Sequence, residues 1–317
     1  MIVLASTSTY VQYFIDSVAY GSLFALMALS LSLLFGVMGL MNFAYGELIM
    51  VGAYTMFYTE RYGWLAMILA TFAVVIAFAL LMELIAFRPV RRASPSTLLI
   101  TSFALSIGLQ KLFYMLFPPG SPRTVSPIPW LTNQFEVKGV LFSRLEIATW
   151  ITTIVLLIGM VLLLKRTALG VQLRASTEDF HMAQLVGVKA NWVISSAFAI
   201  TGFLAAAVTV LYMLNHGDVR PNVGQGPLLV AFVGVVIGGL GSLGGAALGG
   251  FALGLVINLL SATLPRSIQG HTLMFAFLLV ILMLVFQPNG IMGTVDKLRR
   301  KRVAAEVPRV AAEEAPS

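Results

Sequence analysis

Residues 165–191 read KRTALGVQLRASTEDFHMAQLVGVKAN, a polar, basic-edged stretch set between two long apolar segments. Ser176 with Asp179 three residues on matches the capping-box pattern [ST]-x-x-[DE]. Glu178 and Asp179 put negative charge on the first turn, where the helix dipole favours it. Phe180, Met182, Leu185 and Val186 supply apolar positions, and Gly187 followed by Lys189 reads as a helix stop. The spacing predicts one helix of about ten residues, half of what a bilayer crossing needs. Such a helix lies at the membrane face with apolar side chains available for docking. An ordinary interfacial helix without a partner is the alternative reading.

Working outward, the chain becomes far more apolar. Of its 317 residues 59% are hydrophobic and 10% charged, with a mean hydropathy of +0.93. A soluble domain carries about 25% charged residues, so this composition defines a polytopic membrane protein with one integral domain. There is no cysteine, which excludes disulfides and thiolate metal sites. The opening MIVLASTSTYVQYF has no basic residue ahead of its apolar stretch, so no cleaved leader is expected. A net charge of +7 gathered beside apolar segments is a matter of topology and anionic lipid, not of nucleic acid.

Apolar segments run at 11–35, 41–58, 64–87, 97–117, 145–164 and 192–214. A Gly-rich pair follows at 226–240 and 245–264, then a last segment at 272–286. The expected fold is an all-α integral membrane bundle of about 8–9 transmembrane helices with broken Gly-rich segments. Three basic clusters set the orientation: Arg88/Arg91/Arg92, Lys165/Arg166/Arg174 with Lys189, and Lys297/Arg299/Arg300/Lys301/Arg302. All three fall on the cytoplasmic side when every segment crosses, which puts the N-terminus outside and the C-terminus inside. A re-entrant 41–58 would flip the N-terminus alone. The loop 118–144, with five prolines, is expected to be external and irregular, and the tail 294–317 basic and disordered.

Catalytic signatures are absent. The sequence contains no G-x-x-x-x-G-K-[ST], H-E-x-x-H or G-x-S-x-G, and no acidic calcium loop. His181, His216 and His271 are far apart, so no metal site is expected. Ionisable residues inside apolar segments are costly and therefore informative. Asp16 and Glu83 lie near segment ends, and Glu83 is placed to pair with Arg88; Lys111 can snorkel outward. Glu47 stands inside an apolar stretch behind Asn42, Tyr45 and Gly46, marking a helix entry, a kink or a pathway lining. A satisfied structural carboxylate is the competing reading. A single such carboxylate gives little support to proton- or sodium-driven transport.

Nine of the 21 residues from Gly234 to Gly254 are glycine, with spacing four linking Gly234 to Gly238, Gly241 to Gly245 to Gly249, and Gly250 to Gly254. Small residues so spaced let helix backbones approach closely in lipid. With Gly36, Gly39, Gly46 and Gly52 earlier on, the two halves each carry a broken segment, the sequence pointer to a pathway. Gly238, Gly241, Gly245 and Gly249 join Asn42, Tyr45 and Glu47 as candidate pathway or hinge residues. Tight packing without substrate contact is the alternative.

Five segments in order carry a resemblance: NFAYGELIMVGAY (42–54), FRPVRRASPSTLLITSFALSIGLQ (87–110), RTALGVQLRASTEDFHMAQLVGVKANWVI (166–194), AFVGVVIGGLGSLGGAALGGFALGL (231–255) and FQPNGIMG (286–293). Together they resemble the permease subunits of branched-chain amino-acid ABC importers, the LivH-type proteins, over residues 10–293. A related subgroup carries urea and short amides. The stretch DVRPNVGQGPLL (218–229) departs from the pattern in lacking a lysine ahead of the Gly-rich segment. The resemblance implies a transmembrane permease domain at 1–293 without enzyme activity, with 165–191 as its cytoplasmic coupling loop. It implies a bacterial inner-membrane location and a second permease, identical or paralogous. It further implies two ABC ATPase subunits that bind ATP and Mg, and a periplasmic binding protein. Ser176, Glu178, Asp179, Phe180, Met182, Leu185, Val186 and Gly187 would then form the coupling helix. A urea or amide permease, or an ion-coupled secondary transporter, are the alternative functions.

Overall fold

The computed structural model describes residues 7–286 apart from 40–41, 92, 118–122, 138–139, 179, 186 and 266–267. The tail 294–317 therefore lies outside the described residues. Helix α1 (Thr7–Met38) is followed by α2 (Tyr45–Thr59) and α3 (Trp64–Met82). A π-turn at Glu83–Phe87 and a single turn, α4 (Arg88–Val90), continue α3. Then come α5 (Pro95–Leu116), a one-turn α6 (Pro129–Thr132) and α7 (Arg144–Arg166). Two short helices, α8 (Ala168–Glu178) and α9 (Phe180–Leu185), precede α10 (Ala190–His216). The Gly-rich pair forms α11 (Gln225–Gly238) and α12 (Leu243–Thr263), and α13 (Thr272–Phe286) ends the described chain.

Every apolar segment read from the sequence is thus helical. Among the described residues six helices are long and apolar enough to cross a membrane; α2, α11 and α13, at 15, 14 and 15 residues, are shorter. At about 1.5 Å per residue, α2 and α11 fall short of a hydrocarbon core of about 30 Å. The helix starts follow local capping chemistry. Ser94 accepts the Thr97 N–H ahead of Pro95, and Ser242 accepts the Gly245 N–H. At α7, Ser143 and Glu146 form a reciprocal capping box, Glu146 Oε2 accepting the Ser143 N–H at 3.1 Å.

The loop 118–144 is less irregular than its prolines suggest. Strands β1 (Gln134–Val137) and β2 (Val140–Ser143) pair antiparallel, with Phe135 opposite Phe142 and their rings stacked at 5.8 Å. Alternation over four residues on each side is enough for a hairpin once the aromatic pair packs. Val125 and Val219 exchange backbone bonds with Gly217 and Arg123, joining this loop to the segment after α10.

Helices α1 and α10 are the buried axis of the bundle, while α3, α5 and α7 leave most of their surface outward. Around α1 the spacing is set by glycine. A Cβ on Gly250 would lie 2.5 Å from the Phe24 carbonyl oxygen, one on Gly254 2.9 Å from Gly21 Cα, and one on Gly234 2.7 Å from Gly250 Cα. Helices α1, α12 and α11 therefore touch backbone to backbone. Overpacking such a seam is destabilising. Gly250→Leu is expected to abolish the folded peak in detergent size-exclusion or lower its melting temperature sharply. Gly108→Ala, where nothing lies within 4 Å, should leave the melting temperature unchanged or slightly raised.

Candidate functional site

The segment between α7 and α10 holds the residues assigned to docking. It contains two helices rather than one capped helix of about ten residues. Thr167 begins the first: its Oγ1 accepts the Gly170 N–H at 3.0 Å, so α8 starts at Ala168. Ser176 is consequently not a cap but a residue of α8, buried at 3% exposure, with a hydroxyl that finds no hydrogen-bond partner among the described residues. Glu178 closes α8 and Phe180 opens α9; Asp179 and Val186 lie outside the described residues. The capping-box pattern does not open a helix at Ser176 because Thr167, nine residues earlier, caps a helix that already includes Ser176.

The stop was read correctly. Gly187 has φ +95°, its N–H donates to the Gln184 carbonyl, and the Val188 N–H donates to the Ala183 carbonyl. These two bonds are the Schellman closure of α9. Met182 and Leu185 are 60% and 70% exposed, so α9 presents apolar side chains outward beside Ala183, which is buried. Lys165 and Arg166 occupy the last turn of α7, and the Arg91 guanidinium donates to Asn191 Oδ1 at the start of α10. Two basic clusters thus sit at one end of the bundle, flanking this segment.

A second group forms where α2 begins. Asn42 Oδ1 accepts the Ala44 N–H at 3.0 Å, and the Phe43 N–H donates to Ser102 Oγ of α5. Glu47, 2% exposed, accepts on Oε1 from Ser106 Oγ and Gln110 Nε2, both at 2.7 Å. Gln110 Oε1 in turn accepts from Gln225 Nε2 at 3.0 Å. A string of polar groups therefore joins α2, α5 and α11. Asn42 Nδ2, the Tyr45 hydroxyl and Glu47 Oε2 are buried without a hydrogen-bond partner among the described residues. Sequence reasoning found Asn42, Tyr45 and Glu47 but missed Ser106, Gln110 and Gln225. Ser102, Ser106 and Gln110 recur every four residues on one face of α5, a signal that was available.

The candidate glycines separate. Gly238, Gly245 and Gly249 are buried in the α11–α12 seam, where a Cβ on Gly238 would overlap the Gly245 carbonyl and one on Gly249 the Gly234 carbonyl. Gly241 sits in the open turn between those helices with φ +87°. Glu83 does not depend on Arg88: its Oε2 accepts from Ser195 Oγ of α10 at 3.0 Å. The serine reaches it because α3 packs closely on α10 at Gly202, where a Cβ would lie 2.8 Å from Ala79 Cβ and 3.0 Å from Ile76 Cα. At the other end of the bundle a cavity of about 190 Å³ is lined by Asp16, Tyr20, Glu146, His216 and Asn258. Among the described residues no group of three His, Asp or Glu side chains is arranged to hold a metal ion.

These features define a polytopic helical membrane protein with a broken Gly-rich helix pair and a short two-helix segment on its basic side. The family described as "Branched-chain amino acid transport system / permease component" matches residues 13–286, and the chain belongs to that family. It is 32% identical over 302 residues to the high-affinity branched-chain amino acid transport system permease protein BraD of Pseudomonas aeruginosa, covering 90% of this chain and 96% of that one. It is also 32% identical over 300 residues to LivH of Escherichia coli, with the same coverage, and 27% identical over 301 residues to a probable LivH of Methanocaldococcus jannaschii, covering 90% and 93%. These relatives are transport permeases rather than enzymes. No solved structure matches the chain.

The cap assignment is directly testable. Thr167→Ala removes the cap and should cost about 1 kcal/mol of local stability, read as faster amide hydrogen exchange across 168–178. Ser176→Ala should leave exchange there unchanged or slower, because its hydroxyl makes no bond among the described residues. The reverse pattern would restore Ser176 as the helix start.

Proposed function

We propose that this chain is the membrane permease subunit of an ATP-driven, binding-protein-dependent importer of branched-chain or related amino acids. The observation that carries the reading is the family match across 13–286. It is joined by a sequence without any nucleotide-binding loop. ATP and Mg are then bound by two separate ABC ATPase subunits, and a second permease, identical or paralogous, completes the membrane pair. A periplasmic binding protein delivers substrate to the outer face. The chain sits in the bacterial inner membrane with its C-terminus in the cytoplasm, in accord with the basic clusters.

Helices α8 and α9 form the coupling segment seated on the ATPase. The exposed Met182 and Leu185 supply the apolar contact, and the Gly187 closure fixes the exit of the chain. Nucleotide binding draws the ATPases together and displaces this segment, biasing the helices between inward-open and outward-open arrangements. The Gly238/Gly245/Gly249 seam keeps α11 and α12 moving as one body, with Gly241 at its turn. Relatives named for branched-chain amino acids favour leucine, isoleucine or valine over urea or amides as cargo.

Uptake of labelled leucine, with urea in parallel, tests the reading in cells expressing the chain with its ATPases and binding protein. ATP-dependent leucine uptake is expected, with loss of at least about tenfold when Met182 and Leu185 are both changed to Ser and expression is unchanged. Gly187→Leu forces a left-handed conformation on a branched side chain and should lower uptake while ATP hydrolysis continues. Uptake that ignores ATP and survives both variants would identify a secondary transporter instead.

A further inference from the structure

Helices α2 and α11 both begin inside the membrane, and they begin against each other. With every segment crossing, α2 starts from the cytoplasmic side and α11 from the outer side. Yet a Cβ on Gly46 would lie 2.9 Å from the Gly224 carbonyl oxygen, and one on Gly224 would overlap the Gly46 carbonyl. Starts that approach from opposite faces can touch only within the thickness of the bilayer. Residues 217 and 219 bond to the outer loop, and five residues further on the chain has reached α2.

Glu47 stands in the first turn of α2 at this meeting point. Its neighbours at Oε1 are a hydroxyl and an amide, both neutral, and they leave Oε2 buried and without a partner among the described residues. A carboxylate offers about four acceptor sites, so a donor is missing here. In hydrocarbon an ionisable side chain left in that state marks function. The string from Glu47 through Gln110 ends on Gln225, which is exposed, as are Asn222 and Gly226 beside it. Amides on the outside of a membrane-embedded segment belong against water or solute rather than lipid. The same place gathers the N-terminal ends of two helices, whose dipoles favour an anion, although the Tyr45, Glu47, Gln225 and Leu228 N–H groups are already bonded to nearby carbonyls and Pro227 has none. One acidic side chain and two positive helix ends, brought together where Gly46 meets Gly224, match the two charges of a zwitterion.

We propose that this junction is a passing site for the head group of the transported amino acid, Glu47 accepting its ammonium group and the α2 and α11 starts facing its carboxylate. The assignment rests on the amino-acid importer reading above. The competing role is structural, with Glu47 merely tying α5 to α2. Glu47→Gln separates the two. Its amide oxygen can keep both bonds made to Oε1, and its NH₂ takes the place of the oxygen that has no partner, so shape and hydrogen bonding survive while the charge goes.

The experiment uses the full transporter complex in liposomes, with ATP inside and binding protein and labelled leucine outside. Wild type is expected to import leucine in an ATP-dependent manner. Glu47→Gln should lose at least about tenfold in maximal uptake rate, the scale of a charge-assisted hydrogen bond, with half-saturation unchanged and ATP hydrolysis retained. Ser106→Ala, which removes one bond to Oε1 but keeps the charge, should lose much less. Wild-type uptake by Glu47→Gln, or a greater loss in Ser106→Ala, overturns the proposal in favour of the structural tie. If Glu47→Gln does not assemble, Gln225→Leu at the exposed end carries the test, and unchanged uptake there overturns the proposal. Absence of leucine uptake by wild type overturns the importer reading and takes this proposal with it, whereas normal wild-type uptake with a silent Glu47→Gln overturns the proposal alone.

Discussion

Direct backbone contact among α1, α11 and α12 is the constraint on which the rest of this bundle depends. Lipid tails are as apolar as leucine, so burying apolar area does not by itself hold one membrane helix to another. Close approach does, because dispersion contacts are lost quickly with distance. The glycines at 21, 234, 250 and 254 bring three helices together without intervening side chains. That arrangement explains how a 14-residue helix such as α11 can be held in place although it cannot span the hydrocarbon. It is braced sideways by α12, which is long enough to cross.

The apolar helices were legible because each is a long apolar run with at most one charged residue, and that signal survives any tertiary arrangement. Their ends were less so. At 176–179 the pattern Ser-x-x-Asp was present, but Ser176 lies in the last turn of a helix already started by Thr167. Thr167 itself was hard to see, because Gly170 stands where an acidic partner would complete the motif. The pattern that does cap, Ser143 with Glu146, sat in a loop judged irregular for its prolines. The hairpin at 134–143 was hidden for the same reason, although Phe135/Val137 and Val140/Phe142 alternate as strands do.

The polar string was half legible. Glu47 announced itself as a carboxylate in an apolar run, and the Ser102, Ser106, Gln110 stripe follows helical spacing. What no local pattern could supply is that these two features face each other, or that Gln225, 115 residues beyond Gln110, completes the chain. That pairing exists only because the starts of α2 and α11 meet. Glu83 teaches the same lesson: its sequence neighbour Arg88 looked like the natural partner, but α10, packed along α3, brings Ser195 instead.

The joint between α7 and α8 also decides how movement can travel. A Cβ on Gly170 would overlap the Leu163 carbonyl and lie 2.5 Å from Leu164 Cα, and the Thr167 side chain bonds both to the Leu163 carbonyl and to the Gly170 N–H. Helix α8 is therefore clamped to the end of α7 as a stiff elbow, not hung from it on a tether. A push on α8 would be passed through this joint to α7, as well as to α1 and α10, against which α8 also packs. Helix α7 is a rod of 23 residues, about 34 Å long, so a tilt imposed at one end becomes a sideways sweep at the other. The far end carries Glu146, on the wall of the cavity it shares with Asp16 and His216. A lever so placed would change the width of that cavity from the opposite side of the membrane.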